Sequence, residues 1–208
     1  MKDTKAETLG IAIAALRRGD VIVYPTETLY GLGADALNAA AVEKVFQLKD
    51  RDSASPISLL VADRPMLELV VDKIPPLAEE LINQFWPGPL TMVLPATRNL
   101  SKRLTNSAGG VGVRISSQAI ATDLVKELGR PLTATSANPS GKMPARTVEQ
   151  ARRYFHSKVS VFLDGGELHS NVGSTVVEIS SNTIRIIREG EISKAVLARM
   201  MGQRNLIS

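Results

Sequence analysis

No cysteine occurs anywhere in the chain, which excludes disulfide frameworks, thiolate metal sites and a thiol nucleophile. Imidazole is nearly as scarce. His156 and His169 are the two histidines, too few for a His-rich metal centre and a thin basis for a Ser-His-Asp triad. Aromatic residues make up 4% of the chain, so few rings are at hand to stack on bases, and no Lys/Arg-rich run marks a nucleic-acid tract. No uninterrupted apolar stretch reaches the length of a membrane-spanning helix, and residues 1–10 are polar and charged, unlike a secretory signal. The expectation is a cytoplasmic protein with no membrane partner. The usual nucleotide signatures are missing too. There is no G-x-x-x-x-G-K-[ST] loop, and Gly31-Leu32-Gly33 lacks the third glycine of a dinucleotide fingerprint. A nucleotide bound here must have its phosphates held largely by side chains.

What is present fits one α/β domain. A length of 208 residues suits a single domain, 1–208, with enough chain to bury a core. The net charge of +4 favours anionic ligands such as phosphates or nucleic acid, although surplus Lys and Arg also simply solvate a surface. Helical patterning begins with a capping box of Thr4 and Glu7 and runs to about Arg18. It returns from Asn38 to Leu48, over 65–71 and 76–85, over 118–128, from the capping box of Thr147 and Gln150 to Phe155, and after Ser193. Strand patterning covers 21–24, 57–62, 90–94, 111–115, 132–136, 159–163, 175–179 and 183–187. Trp86-Pro87-Gly88-Pro89 reads as a turn, with Trp86 supplying apolar area beneath it. This alternation predicts a twisted mixed sheet with helices packed on it, and the closely spaced late strands predict an antiparallel part.

Four segments could carry chemistry. Lys49-Asp50-Arg51 lies just past a helix; if extended, Lys49 and Arg51 point the same way and can grip a polyphosphate. The competing reading is a solvated helix C-terminus whose cations complement the dipole. Ser136 and Asn138 follow a strand, and Pro139 biases Asn138 toward an extended backbone. The two then share a face at a strand's C-terminal end, where α/β sheets hold ligands; they equally make a polar turn. The segment 25–33 sets Thr26, Glu27 and Thr28 beside two glycines, which suits a small polar substrate or a tight connection needing unusual backbone angles. Arg114 interrupts an apolar strand and wants an anion, a substrate carboxylate or an internal partner. Arg188, ending a strand before Glu189-Gly190, poses the same question, and Ser174 reads as an exposed loop hydroxyl. His156 and His169 read as surface residues.

Taken together, PTETLYGLG (25–33), K-x-R (49–51), FWPGPLT (85–91), VGVR (111–114), TATSANPSG (133–141), DGG (164–166), GST (173–175) and REG (188–190) resemble the YrdC-like family of threonylcarbamoyl-AMP synthases, in the family's order and over most of the chain. The resemblance implies a mixed α/β fold with a positively lined concave surface. It also implies a reaction of L-threonine, bicarbonate and ATP with Mg²⁺, giving threonylcarbamoyl-AMP and pyrophosphate. The product would be handed to a tRNA threonylcarbamoyl transferase complex, and direct tRNA or RNA contact is a further implication. By the same resemblance Lys49, Arg51, Ser136 and Asn138 form an ATP-site tetrad. Thr26, Arg114 and Ser174 hold threonine, and Arg188 touches the nucleotide. The rival reading is a non-catalytic RNA-binding module of the same fold. The chain departs from the family pattern at Asp52, where Pro is frequent, at Leu60, where some members carry His, and at Ser116-Ser117-Gln118, where Pro-x-His is frequent.

Overall fold

The computed structural model describes residues 5–50, 56–180, 183–201 and 205–207. Arg51 and Asp52, and the Thr4 of the first capping box, lie outside the described residues.

In chain order the elements are α1 (Lys5–Arg17), β1 (Ile22–Pro25), β2 (Tyr30–Gly33), α2 (Ala39–Lys49), β3 (Ser58–Leu60), α3 (Arg64–Glu68), α4 (Pro76–Phe85), β4 (Leu90–Pro95), β5 (Gly110–Arg114), α5 (Ala119–Leu128), β6 (Leu132–Ser136), α6 (Val148–Phe155), β7 (Val161–Phe162), β8 (Thr175–Ser180), β9 (Thr183–Arg188), α7 (Lys194–Met201) and β10 (Asn205–Ile207). The helix caps follow from residue type. Asn38 accepts from the N–H groups of Ala40 and Ala41 to start α2, and Asp50 ends it in the left-handed region at φ 48°. Gln118 caps α5 with its side-chain oxygen and Gly129 closes it at φ 69°. Thr147 accepts from Gln150 N, but Gln150 Oε1 accepts from Arg146 N, one residue further back than a capping box requires. Ser193 Oγ accepts from Val196 N at the start of α7. Among the described residues no helix is long and apolar enough to cross a membrane.

A single sheet takes in ten strands in the order β10-β9-β8-β4-β5-β3-β6-β2-β1-β7. It is mixed: β1–β7, β3–β5, β4–β8 and β9–β10 pair parallel, while β1–β2, β2–β6, β3–β6, β4–β5 and β8–β9 pair antiparallel. On one side α1 packs against α5, and both lie on β1.

Several elements depart from the sequence expectation, among them β10 over 205–207, where no strand was expected, and β3, which shrinks from 57–62 to Ser58–Leu60. Residues 30–33 form a central strand, not a connection, and the glycines there do not take unusual backbone angles. They make room. Tyr24 on β1 pairs with Gly31, and its ring lies across the glycine strand, so that a Cβ at Gly33 would come within 2.8 Å of the ring. The Tyr24 hydroxyl donates to Thr133 O at 2.9 Å. The strand expected over 159–163 shrinks to Val161–Phe162, an edge strand that pairs only with Ile22 and Val23. The helix expected to reach residue 71 ends at Glu68, because Val70 O accepts from Thr97 N and Val71 bridges to Ala96.

Candidate active site

A cavity lies along one face of the sheet, and small residues form much of its lining. In β5, Val111 and Val113 are buried, while Gly110, Gly112 and Arg114 line a cavity of about 480 Å³. This is strand alternation at work: the apolar set faces the core and the alternate set faces the cavity. The same face continues through Ser58 on β3, Ala134 and Ser136 on β6, Gly31 on β2, and Thr91 and Val176 on β4 and β8. The volume falls within the roughly 300–1,000 Å³ usual for small-molecule sites. Thr26, Arg114, Ser136, Ser174 and Arg188 all line it.

Lys49 and Asn138, both expected in the site, do not line the cavity; they sit behind Ser136, which does. Lys49 is the last residue of α2, so its side chain does not project from an extended segment as the sequence reading supposed. It is 2% exposed, and its ammonium donates to Ser136 O at 2.6 Å and Asn138 O at 2.8 Å. Its own carbonyl accepts from Ser140 N at 2.7 Å. The helix end and the loop after β6 are thus stitched together by one residue. Asn138 is buried, and its Nδ2 donates to Pro139 O and Lys142 O. Among the described residues Asn138 Oδ1 is a buried acceptor with no hydrogen-bond partner. An unmet buried polar atom is costly.

Two guanidiniums face the cavity. Arg114 donates to Glu27 Oε1 at 2.6 Å, and Glu27 Oε2 accepts from Ser116 Oγ. The Arg114 and Glu27 side chains are 7% and 14% exposed. Sequence reasoning left the Arg114 partner open and named Glu27 only within the 25–33 segment, without pairing the two; a lone Arg in a strand and a lone acid just past another strand were the available signals. Arg188 Nη2 donates to Ser174 O at 2.8 Å and to Ser174 Oγ at 3.3 Å. Burial of the guanidinium and, second, the positive charge of Arg114 hold the Arg188 pKa below its usual value. Ser174 is not the exposed hydroxyl expected: it is buried, and its Oγ lies 2.9 Å from Thr91 Oγ1. Thr26 is also buried, and its hydroxyl donates to Leu29 O at 2.7 Å while accepting from Thr28 N and Leu29 N. That hydroxyl mainly holds its own turn.

The three departures from the family pattern fall off the cavity wall or outside the described residues. Leu60 is buried in the core, Gln118 spends its side-chain oxygen on the α5 cap, and Asp52 is outside. His156 and His169 are exposed, as expected. Trp86, expected to supply apolar area, also donates from Nε1 to Leu90 O at 2.7 Å and so pins the turn to β4. Among the described residues no three His, Asp or Glu side chains come together as a resident metal would need.

Comparison with known proteins gives a consistent set of neighbours. Residues 14–190 match the Sua5/YciO/YrdC family model, described as "Telomere recombination". A threonylcarbamoyl-AMP synthase from Pyrococcus abyssi is 35% identical over 193 residues, covering 93% of this chain and 57% of the relative. The threonylcarbamoyl-AMP synthase of Thiobacillus denitrificans is 41% identical over 172 residues, covering 82% of this chain and 90% of the relative. The crystal structure of P. abyssi Sua5 complexed with L-threonine superposes with a TM-score of 0.90 at 34% identity, over 95% of this chain and 58% of that one. The chain therefore spans little more than half the length of the P. abyssi proteins.

Proposed function

The chain belongs to the Sua5/YciO/YrdC family, and on that premise we propose that it is a threonylcarbamoyl-AMP synthase, a nucleotidyltransferase acting on L-threonine, bicarbonate and ATP. The observation that carries this reading is the pairing of Arg114 and Arg188 on one cavity. No carboxylate is among the described residues that line the cavity, and a single one, Glu27, is bonded to Arg114. Two like charges on one wall call for an anion, and the substrates supply several.

In this reading Arg114 holds the threonine carboxylate with its remaining donors. Ser174 and the turn built by Thr26 close the pocket around the amino acid. Ser136 and Asn138 orient the nucleotide. Lys49 and Arg51 neutralise phosphate charge, Lys49 from behind Ser136, and Arg188 contacts the nucleotide. Mg²⁺ enters on the polyphosphate as part of the substrate.

The neutral threonine amine forms an N–C bond to carbon dioxide with loss of a proton, or to bicarbonate with loss of water, and so gives a carbamate. A carbamate oxygen attacks the α-phosphorus of ATP in line. The bond from that phosphorus to the bridging oxygen breaks, and pyrophosphate leaves. The chain's residues position reactants and stabilise charge, with no covalent protein intermediate. The activated product passes to a tRNA threonylcarbamoyl transferase complex in the cytoplasm, and the positive wall of the cavity is where tRNA would meet this protein directly.

The test is pyrophosphate release from ATP and Mg²⁺ with and without L-threonine and bicarbonate. Release that requires both is the expected result. A folded protein that binds ATP but releases nothing with threonine overturns the choice of acceptor.

A further inference from the structure

Strand β9 alternates for most of its length. Ile184 pairs with Ile179 and is buried, Arg185 pairs with Glu178 on the exposed side, and Ile186 pairs with Val177 and packs on the core. Strict alternation would send Ile187 to the cavity face and Arg188 to the core face. The pairing instead steps from Val177–Ile186 to Val176–Arg188. Ile187 is the extra residue of a β-bulge and itself lines the cavity, and the bulge adds Arg188 to that face opposite Val176. Bulges re-aim side chains in this way.

Beyond the bulge the chain is fastened by one hydroxyl. Thr175 is fully buried, on the core side of β8, and does not line the cavity. Its Oγ1 donates to Ile192 O at 2.6 Å and accepts from Gly190 N at 2.9 Å and Ile192 N at 3.0 Å. That uses the one donor and both lone pairs of a hydroxyl. Glu191 N donates to Gly173 O at 3.0 Å. Gly190 packs so closely on the 173–174 turn that a Cβ there would lie 2.5 Å from Gly173 O. The clamp therefore begins two residues after Arg188, whose guanidinium reaches back to Ser174.

We infer that Thr175 is a positioning residue for Arg188: together with the bulge, its hydroxyl fixes the angle at which the guanidinium enters the cavity. The inference rests on the reading of Arg188 as a nucleotide contact. Because the Thr175 hydroxyl does not reach the cavity, its effect on a ligand must pass through the residues it holds.

The test is a double-mutant cycle read by ATP binding in calorimetry and by the KM for ATP and kcat in the pyrophosphate assay. Thr175→Val keeps the shape and removes the hydroxyl; it is expected to weaken ATP binding about tenfold, with kcat changed by less than about twofold. Thr175→Ser keeps the hydroxyl and is expected to restore binding to within about twofold of the parent. In an Arg188→Ala background, Thr175→Val is expected to add less than about twofold. Should Thr175→Val fail to fold, Thr175→Cys takes its place as a weaker hydrogen-bonding group, with a smaller loss that Arg188→Ala again absorbs. Parent-like ATP binding by Thr175→Val, or full multiplication of its effect with that of Arg188→Ala, overturns the inference. If Arg188→Ala itself binds ATP normally, the Arg188 reading fails, and the inference falls with its premise.

Discussion

On the cavity wall and just behind it cations stand at the ends of regular elements, and the two places answer them differently. Lys49 is met by main-chain carbonyls, those of Ser136 and Asn138. Carbonyls cannot change protonation and, inside a packed loop, cannot rotate away. These two bonds fix the shape of the loop that carries Ser136 and Asn138. On the cavity wall Arg114 is met by a side-chain carboxylate and Arg188 by Ser174, and the charge of Arg114 adds to burial in lowering the Arg188 pKa. That wall keeps a positive surplus facing open space. The comparison teaches that the two places differ in what meets the charge: main-chain carbonyls of a neighbouring loop at Lys49, side chains and an open cavity at Arg114 and Arg188.

Breaking the Lys49 contacts has the largest expected effect. Lys49→Met keeps the length of the side chain but leaves two carbonyls without their donor, and each unmet buried group costs about 1–3 kcal/mol. The variant is expected to lose about 3 kcal/mol of unfolding free energy in urea and to release pyrophosphate at least ~100-fold more slowly. A Lys49→Met protein as stable as the parent would mean that the 136–140 loop holds itself. The cavity wall is expected to respond in ligand affinity more than in stability. Arg114→Ala removes charge-assisted bonds worth about 1.5–3 kcal/mol, so the KM for threonine should rise about 50-fold. Its unfolding free energy should fall less than that of Lys49→Met, because Glu27 keeps the Ser116 hydroxyl. Equal stability losses at the two places would erase the distinction.

Much of this was legible in the sequence where a local rule decides the outcome. The caps at Asn38, Thr147 and Ser193 follow from side chains that can reach backbone N–H groups. The burial of Val111 and Val113 follows from period-two alternation, which also sends Arg114 to the opposite face. What was not legible depends on pairing across the sheet. Tyr30–Gly33 looks too glycine-rich for a strand until the Tyr24 ring is laid across it from β1. Ser174 looks like an exposed loop residue until Thr91 and Arg188 converge on it from strands far apart in sequence. The bulge at Ile187 has no local signature, since only the register against β8 reveals it. Glu27 was visible as a carboxylate, but its bond to Arg114 spans 87 positions. Of the residues the family's motifs mark, the fold sets Thr26, Arg114, Ser136, Ser174 and Arg188 on one cavity wall and leaves Lys49 and Asn138 off it.

The smallest expected effect lies between the two places, at Tyr30. Its backbone joins the loop that Lys49 holds, where Tyr30 O accepts from Ala137 N at 2.7 Å. Its side chain belongs to the loop leading toward Ser174: the hydroxyl donates to Gly166 O at 2.7 Å and accepts from Gly165 N at 2.9 Å. Burial pushes the phenol pKa up to about 12, the Gly165 N–H opposes the rise, and the Asp164 carboxylate adds to it. An unfolded tyrosine titrates near about 10. The folded protein therefore keeps a proton that the unfolded chain has lost between these values, and the stability this contributes is fully present below about pH 10 and is lost as pH rises through about 12. Tyr30→Phe should cost about 1 kcal/mol at neutral pH, the worth of one hydrogen-bonded hydroxyl. Its stability should also fall less steeply than the parent's across the alkaline window, with urea midpoints measured at several pH values as the readout. Parallel alkaline declines in both proteins would show that the 164–166 loop is held by something other than this phenol. The two places would then be joined only through the sheet.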